Sequence, residues 1–388
     1  MKKLVYLLIF LGTGVYAQKP EPVYRLTIQP RDDQFYSTQA DLWKKEVAKR
    51  PKDASAWENY YWAMRYSNHL YETGHVDKQK AMAQIMDDMG RNVPGTIQYY
   101  RCKLSYDGWP NKDTANTALM LKKAIALAPN DRTVLEDYIT YSAVSGNGPK
   151  FKEMSASLYK SNTYAYGMME LGYNLLMSAD KNSIVFTWGD NDTYTTWMLQ
   201  QAKGIRTDIT IINVPLAMNY TGYLKQMLLE KNIVLSEGFW ERSKQANGTM
   251  DFMKMLLLEI NKVNSSVPLF MEIESGLENT FPDSLYCTGL TYRFSTVRID
   301  NISKLRNNVE DHFHLDYLNG YVPYDNGLSE ELVEDSKTQY VTPFAILYRH
   351  YRQMGENNDR VQFYKDFVMK YAAKAGKEKE MEEYLEGK

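Results

Sequence analysis

Apolar positions recur with a helical period through most of the chain. From Ala40, Leu42, Trp43 and Val47 mark one face until Pro51, and Trp57, Tyr60, Tyr61 and Met64 resume it over residues 54–66. This is the three-and-four spacing of an amphipathic helix. Residues 151–177, 341–354 and 361–371 carry the same period, and the turn at 355–359 makes a hairpin of the last two. Between Asn182 and about Ile299 the pattern changes to short β-branched runs separated by helical stretches. Strands are expected at 183–187, 209–214, 267–273 and 290–297, and helices at 193–202, 220–231 and 249–263, the first of these closed by Gly204. Such alternation implies right-handed crossovers and a mostly parallel sheet covered on both faces. The expected fold class is α/β plus all-α: helical pairs flanking a small Rossmann-like three-layer domain.

Proline punctuates the first part. Pro51, Pro94 and Pro129 recur about 35–43 residues apart, each closing one helical stretch just before the next begins. The pattern resembles tetratricopeptide repeats: Ala124 and Leu127 stand at the small and apolar positions before Pro129, and Trp57 at the first-helix Trp, while Glu46 departs from the small-residue position before Pro51. The resemblance implies helical pairs that offer a concave surface to a protein partner. The chain then divides into a leader (1–17), an extended lead-in (18–39), a tetratricopeptide-like domain (40–163), a Rossmann-like domain (164–300) and a helical end (301–388). Alternating charges over 374–388 suggest a frayed, solvated final helix.

The leader carries Lys2 and Lys3, an apolar run over 4–11 and the small residues Val15 and Ala17, the pattern of a cleavable secretory signal cut after Ala17. Its apolar run is far short of the ~20 residues a membrane span requires. An exported, periplasmic or cell-envelope protein with no transmembrane segment in the mature chain is expected. The formal charge of −2 becomes about −4 without the leader lysines, which leaves no electrostatic case for nucleic acid. Whether Cys102 and Cys287 pair is left open by two positions alone. The 31 tyrosines are read chiefly as core fillers of helix pairs.

Candidate chemistry concentrates after the first strand, in Trp188, Gly189, Asp190, Asn191, Asp192 and Thr193. An α/β protein keeps its ligands at such a place, outside the carboxyl end of a strand. No G-x-G-x-x-G and no P-loop occurs. Carboxylates beside a helix amino terminus repel phosphate, so the ligand expected is a metal ion, a polyol or a cationic group. Asp190 and Asp192 are candidate ligands of a divalent cation, and Asn213 and Glu274, at the ends of the second and third strands, converge on the same loop. The competing structural reading makes Asp192 or Thr193 a helix cap and Gly189 a tight-turn residue. Asp311, His312, His314 and Asp316 have metal-like identities but the wrong spacing for a helix. His69, His75 and His350 stand alone. Asp113-Thr114-Ala115 and Asp283-Ser284-Leu285 resemble short O-glycosylation signals of exported Bacteroidota proteins.

The run WGDNDTYTTWMLQQAKGIRTDITIINV resembles a segment in the soluble carboxyl-terminal part of a Bacteroidota family of multispan membrane proteins, whose membrane half resembles protein O-mannosyltransferases. Gly189 to Thr193, Trp197, Leu199, Gln200, Gly204 to Arg206, Asp208 and Asn213 carry the likeness. Glu170 to Gly172, Gly289 to Arg293 and Asn308 to Leu318 extend it. It implies an envelope-facing α/β module without the membrane half that would carry sugar transfer. The expected function is a non-enzymatic binding or scaffold protein, its helices taking a protein partner and its acidic crevice a small polar ligand. The alternative is a divalent-metal-dependent enzyme on glycans or another polar substrate, with Asp190 and Asp192 on the metal and Glu274 as base.

Overall fold

A computed structural model describes residues 19–67, 75–107, 114–323 and 330–387. The leader, His69, the side chain of His75, Asp113 and most of the turn expected at 323–327 lie outside the described residues. Contacts gather the chain into two compact units. One consists of Arg31–Cys102 with the segment up to Arg25, the other of Lys103–Lys388 with Leu26–Pro30.

The first unit is helical: α1 (Asp33–Lys49), α2 (Ala54–Tyr66), α3 (His75–Asn92) and the start of α4 (Ile97–Asp107). The lead-in is shorter than the pattern suggested, because Asp32 caps α1 by accepting the Phe35 N–H at 2.7 Å. Buried Ser37 and Gln39 interrupt the apolar period there and hide the helix from a hydrophobic reading. At the Pro51 corner, Asp53 caps α2 through Ala56 N–H, and the Trp57 indole donates to the Pro51 carbonyl at 2.8 Å. Tyr36, Ala56, Trp57, Tyr61, Trp62, Met86 and Met89 share one core.

The second unit begins with α5 (Thr114–Leu127), α6 (Arg132–Val144) and α7 (Gly148–Ser161), read above as the end of the repeat-like domain, and α8 (Tyr166–Met177). The helix expected over 151–177 is two helices, broken where Asn162 adopts φ 53°. Then follow β1 (Ile184–Thr187), α9 (Asp190–Lys203), β2 (Thr210–Asn213), α10 (Val214–Asn219), α11 (Thr221–Leu229), α12 (Glu237–Ser243), α13 (Thr249–Val263), β3 (Leu269–Glu272), β4 (Leu285–Cys287) and β5 (Thr291–Phe294). The strands form one sheet of order β2-β1-β3-β5-β4. β1 pairs in parallel with β2 and β3, Val185 standing opposite Ile211 and Phe270.

β5 runs antiparallel to β3 and β4, so the sheet is mixed and the expectation of a Rossmann-like parallel sheet is corrected. A parallel return needs a long crossover, and only residues 288–290 separate β4 from β5, which therefore form an antiparallel hairpin. The chain turns through Gly289 at φ 141°, where a Cβ would come within 2.5 Å of Ser178 Oγ. Ile184, Phe186, Ile212, Leu269 and Met271 face a core shared with α10–α13. Val185, Ile211 and Phe270 are buried on the opposite face, where α9 packs against β2, α7 and α8.

The chain ends in α14 (Asn301–Asn307), a π-turn (Asn308–His312), 3-10 turns at Asp316–Asn319 and Lys337–Tyr340, α15 (Glu330–Ser336), α16 (Val341–Gln353), α17 (Asp359–Lys374) and α18 (Glu378–Glu386). α16 and α17 pair as expected, with Phe344 against Phe363, Tyr364 and Phe367. The last helix is docked rather than frayed, burying Leu385 and placing Tyr384 under the Arg349 guanidinium at 4.6 Å. Cys102 and Cys287 are both buried free thiols. Among the described residues, no helix is long and apolar enough to cross a membrane.

Candidate functional site

β1 lies between β2 and β3, and the chain reaches β2 through α9 on one face of the sheet and β3 through α10–α13 on the other. The segments leaving β1 and β3 emerge side by side at the carboxyl edge of the sheet, where an α/β protein usually keeps its ligands. Trp188, Gly189 and the first turn of α9 border this edge from β1. Glu272, Glu274 and Ser275 border it from β3.

Gly189 is the N-cap of α9, with no side-chain cap of its own. The cap comes from the other direction. Asp192 turns its carboxylate back to accept the Gly189 N–H, which is half of a capping box. A Cβ on Gly189 would stand 2.6 Å from Asp192 Oδ2, so glycine is needed here for close approach rather than for its backbone angle. Asp192 also accepts a hydrogen bond from Glu272, which is only 5% exposed.

Two carboxyl groups in hydrogen-bond contact cannot both ionise without severe repulsion, and so they hold one proton between them. Burial pushes Glu272 well above the usual carboxyl range, and the charge of Asp192 pushes it further. Burial also raises Asp192, while its hydrogen bonds from Glu272 and Gly189 work the other way. Both carboxyls are raised, Glu272 the more strongly, and the pair titrates as a unit. Glu274, raised by burial and by Asp192, is held by Gln339 Nε2 at 3.2 Å and Thr338 Oγ1 at 3.4 Å.

Four buried polar atoms on the segments that end β1 and β3 and on the turn before α16 have no hydrogen-bond partner among the described residues: Trp188 Nε1, Glu272 Oε2, Ser275 Oγ and Gln339 Oε1. Each such atom costs about 1–3 kcal/mol. Donors and acceptors are both represented, the complement of a ligand with hydroxyl or amide groups.

The other predicted residues are engaged elsewhere. Asn191 donates to the Thr27 carbonyl and accepts from Arg132, whose guanidinium lies 3.7 Å from the Tyr164 ring centroid and pairs with Glu136. Thr193 bonds Gly189 O and Thr187 Oγ1 and receives Asn213 Nδ2 at 3.0 Å. Asn213 caps α10 through Leu216 N–H. These residues fix the loop, α9 and β2 to one another. Trp188 packs on the α10–α13 core, and Asp190 is exposed. Among the described residues no three His, Cys, Asp or Glu side chains are set to hold a metal ion. Asp190 and Asp192 form no cage, because Asp192 is committed to Gly189 and Glu272.

Glu272 was missed because it fell inside an apolar strand run. Strand period gave the signal, since residues two apart share a face and Glu274 was already a candidate. The GIR-x-D element proves structural: Arg206 donates to the carbonyls of Leu176, Ala179 and Asp180 and pairs with Asp208 at 3.0 Å.

Residues 168–236 match the model of TMEM260-associated domain 2. The matched segment runs from α8 through α11 and contains the GDNDT loop, Arg206, Asp208 and Asn213. It links this part of the chain to a TMEM260-like membrane-protein family, consistent with the resemblance drawn above, and lends nothing to the likeness to mannosyltransferases. Glu272 and Glu274 lie beyond it. No curated protein and no solved structure matches the chain.

Proposed function

We propose that the chain is an exported cell-envelope binding protein whose switch-point crevice takes a small, uncharged polar ligand, and whose amino-terminal, tetratricopeptide-like helical pairs take a protein partner. The observation that carries the ligand site is the set of buried, unpartnered polar atoms around Glu272. A proton shared by Asp192 and Glu272 lowers the charge of the crevice by one, which suits a neutral ligand better than a cation. The unpartnered polar atoms favour binding as the first reading.

A second reading rests on the same pair. A protonated Glu272 beside an ionised Asp192 is an acid next to a base, and environments that separate two carboxyl groups in this way suit general acid–base work.

The test is a thermal-shift screen of the chain from Gln18 with monosaccharides, polyols and neutral amino acids, in parallel with Glu272→Gln and Trp188→Phe. A ligand at ~100 times its dissociation constant stabilises by about 2.7 kcal/mol. The reading expects a hit on the wild type that either substitution weakens. Hits that move all three proteins equally would sink it. Turnover of a hit, lost in both Glu272→Gln and Asp192→Asn, would favour the second reading.

A further inference from the structure

Away from the switch point, a cleft of about 490 Å³ opens between α7, α8 and α9, within the size range of small-molecule sites. Leu158, Met169, Met198 and Leu199 line it and are buried. Half-buried Tyr159, Tyr166 and Tyr173 line it as well, and His314 stands at its edge.

His314 is fixed at several points although its side chain is 53% exposed. Buried Asn174 brackets its backbone, donating to the His314 carbonyl at 2.9 Å and accepting its N–H at 2.8 Å. The imidazole lies on the Tyr173 ring, centroids 3.9 Å apart and planes within 10°. Its Nδ1 meets the Glu170 carboxylate at 2.5 Å. With Nδ1–H given to Glu170, the ring leaves Nε2 free, and an imidazole whose Nδ1 carries the proton accepts a hydrogen bond there. An exposed side chain held this way has already lost the freedom that binding would otherwise cost it.

We propose that this cleft is a second binding site, for a small aromatic ligand whose ring bears one hydrogen-bond donor, with His314 Nε2 as the acceptor. The lining selects among ligand classes. Methionine thioethers contact aromatic rings favourably, and the tyrosines offer further ring faces. A sugar would meet polar partners in Asn162, Glu170 and Lys203 but would also set hydroxyl groups against Leu158, Met169, Met198 and Leu199, where burial is costly. A phosphate finds Lys203, which lies 5.1 Å from the Tyr159 ring centroid, countered by Glu170 in the same cleft. The ligand is therefore neutral and flat. None of these residues belongs to the Asp192–Glu272 site, so this proposal stands or falls independently of it.

The probes are 4-methylphenol, toluene and methyl α-glucopyranoside, titrated into the whole chain from Gln18 with methyl-labelled methionine and followed by methyl NMR. Saturable shifts of the Met169 and Met198 methyls with 4-methylphenol are expected, with toluene about tenfold weaker and the glucoside silent. His314→Ala should weaken 4-methylphenol about tenfold and leave toluene unchanged, while Lys203→Ala changes neither. The remaining methionine methyls report whether each variant is folded. Equal affinity for toluene and 4-methylphenol, preference for the glucoside, loss of binding in Lys203→Ala, or no shift at either methyl would each overturn the proposal.

Discussion

The Asp192 and Glu272 carboxyl groups meet where β1 and β3 end, and burial and their mutual repulsion favour a single proton between them. The pair joins the first turn of α9 to the third strand, so its protonation state bears on stability as well as on the crevice.

The sign of the pH dependence follows from the raised pKa of Glu272. A carboxyl whose folded pKa lies above its unfolded value contributes stability that is complete below the unfolded value, near 4.3 for Glu, and is lost as pH rises through the folded one. Urea midpoints from pH 5 to 9 should therefore fall more for the wild type than for Glu272→Gln, which stays neutral, with a difference on the order of 1–3 kcal/mol at the alkaline end. Parallel curves would show that the pair does not carry the proton. Glu334 acts in a separate window: burial is outweighed by hydrogen bonds from Lys374 and Lys337, and its pKa falls to about 2. Its contribution is present above the usual Glu range and is lost as pH falls toward 2.

Gly189→Ala should destabilise by about 1–3 kcal/mol, although φ −88° is open to alanine, because the new methyl displaces the Asp192 carboxylate. The double change with Asp192→Ala should cost less than the sum of the singles, since both disrupt the same contact. Strict additivity in chemical unfolding would show that the two positions are not in conflict.

Arg206→Ala should cost about 2–4 kcal/mol, as three backbone carbonyls and Asp208 lose one planar donor. Arg206→Lys should recover little, because an ammonium cannot reproduce the fork. A lysine variant as stable as the wild type in thermal unfolding would contradict this.

Addition of Mg²⁺, Mn²⁺ or Ca²⁺ after EDTA treatment should leave the melting temperature unchanged within about one degree, far less than a saturating ligand produces. A shift present in the wild type and absent from Asp190→Asn would restore the metal site.

The sequence made the helices and the position of the crevice legible because both rest on local signals. Pro51 and Asp53 place the corner between α1 and α2, Gly204 ends α9, and the apolar run at 184–187 followed by an acidic loop marks a strand end. The partners of that acidic loop were not legible in it. Asn191 reaches Thr27 and Arg132, and Thr193 reaches Thr187 and Asn213, contacts that no spacing in the loop itself discloses. The mixed sheet escaped for a related reason: an extended run at 290–297 reads the same whether its neighbour is parallel or antiparallel.

By itself, the sequence determined which stretches are amphipathic, where several helices stop, and that acidic side chains stand beyond the first strand. These are properties of neighbouring residues, set by side-chain period and backbone preference. Only the tertiary structure decided that Asp192 meets Glu272, that burial raises the Glu272 carboxyl, and that His314 is fixed at a cleft lined by Met169 and Met198. A carboxyl group's charge depends on burial and on neighbours brought to it by strand order and register, which arise when distant segments pack.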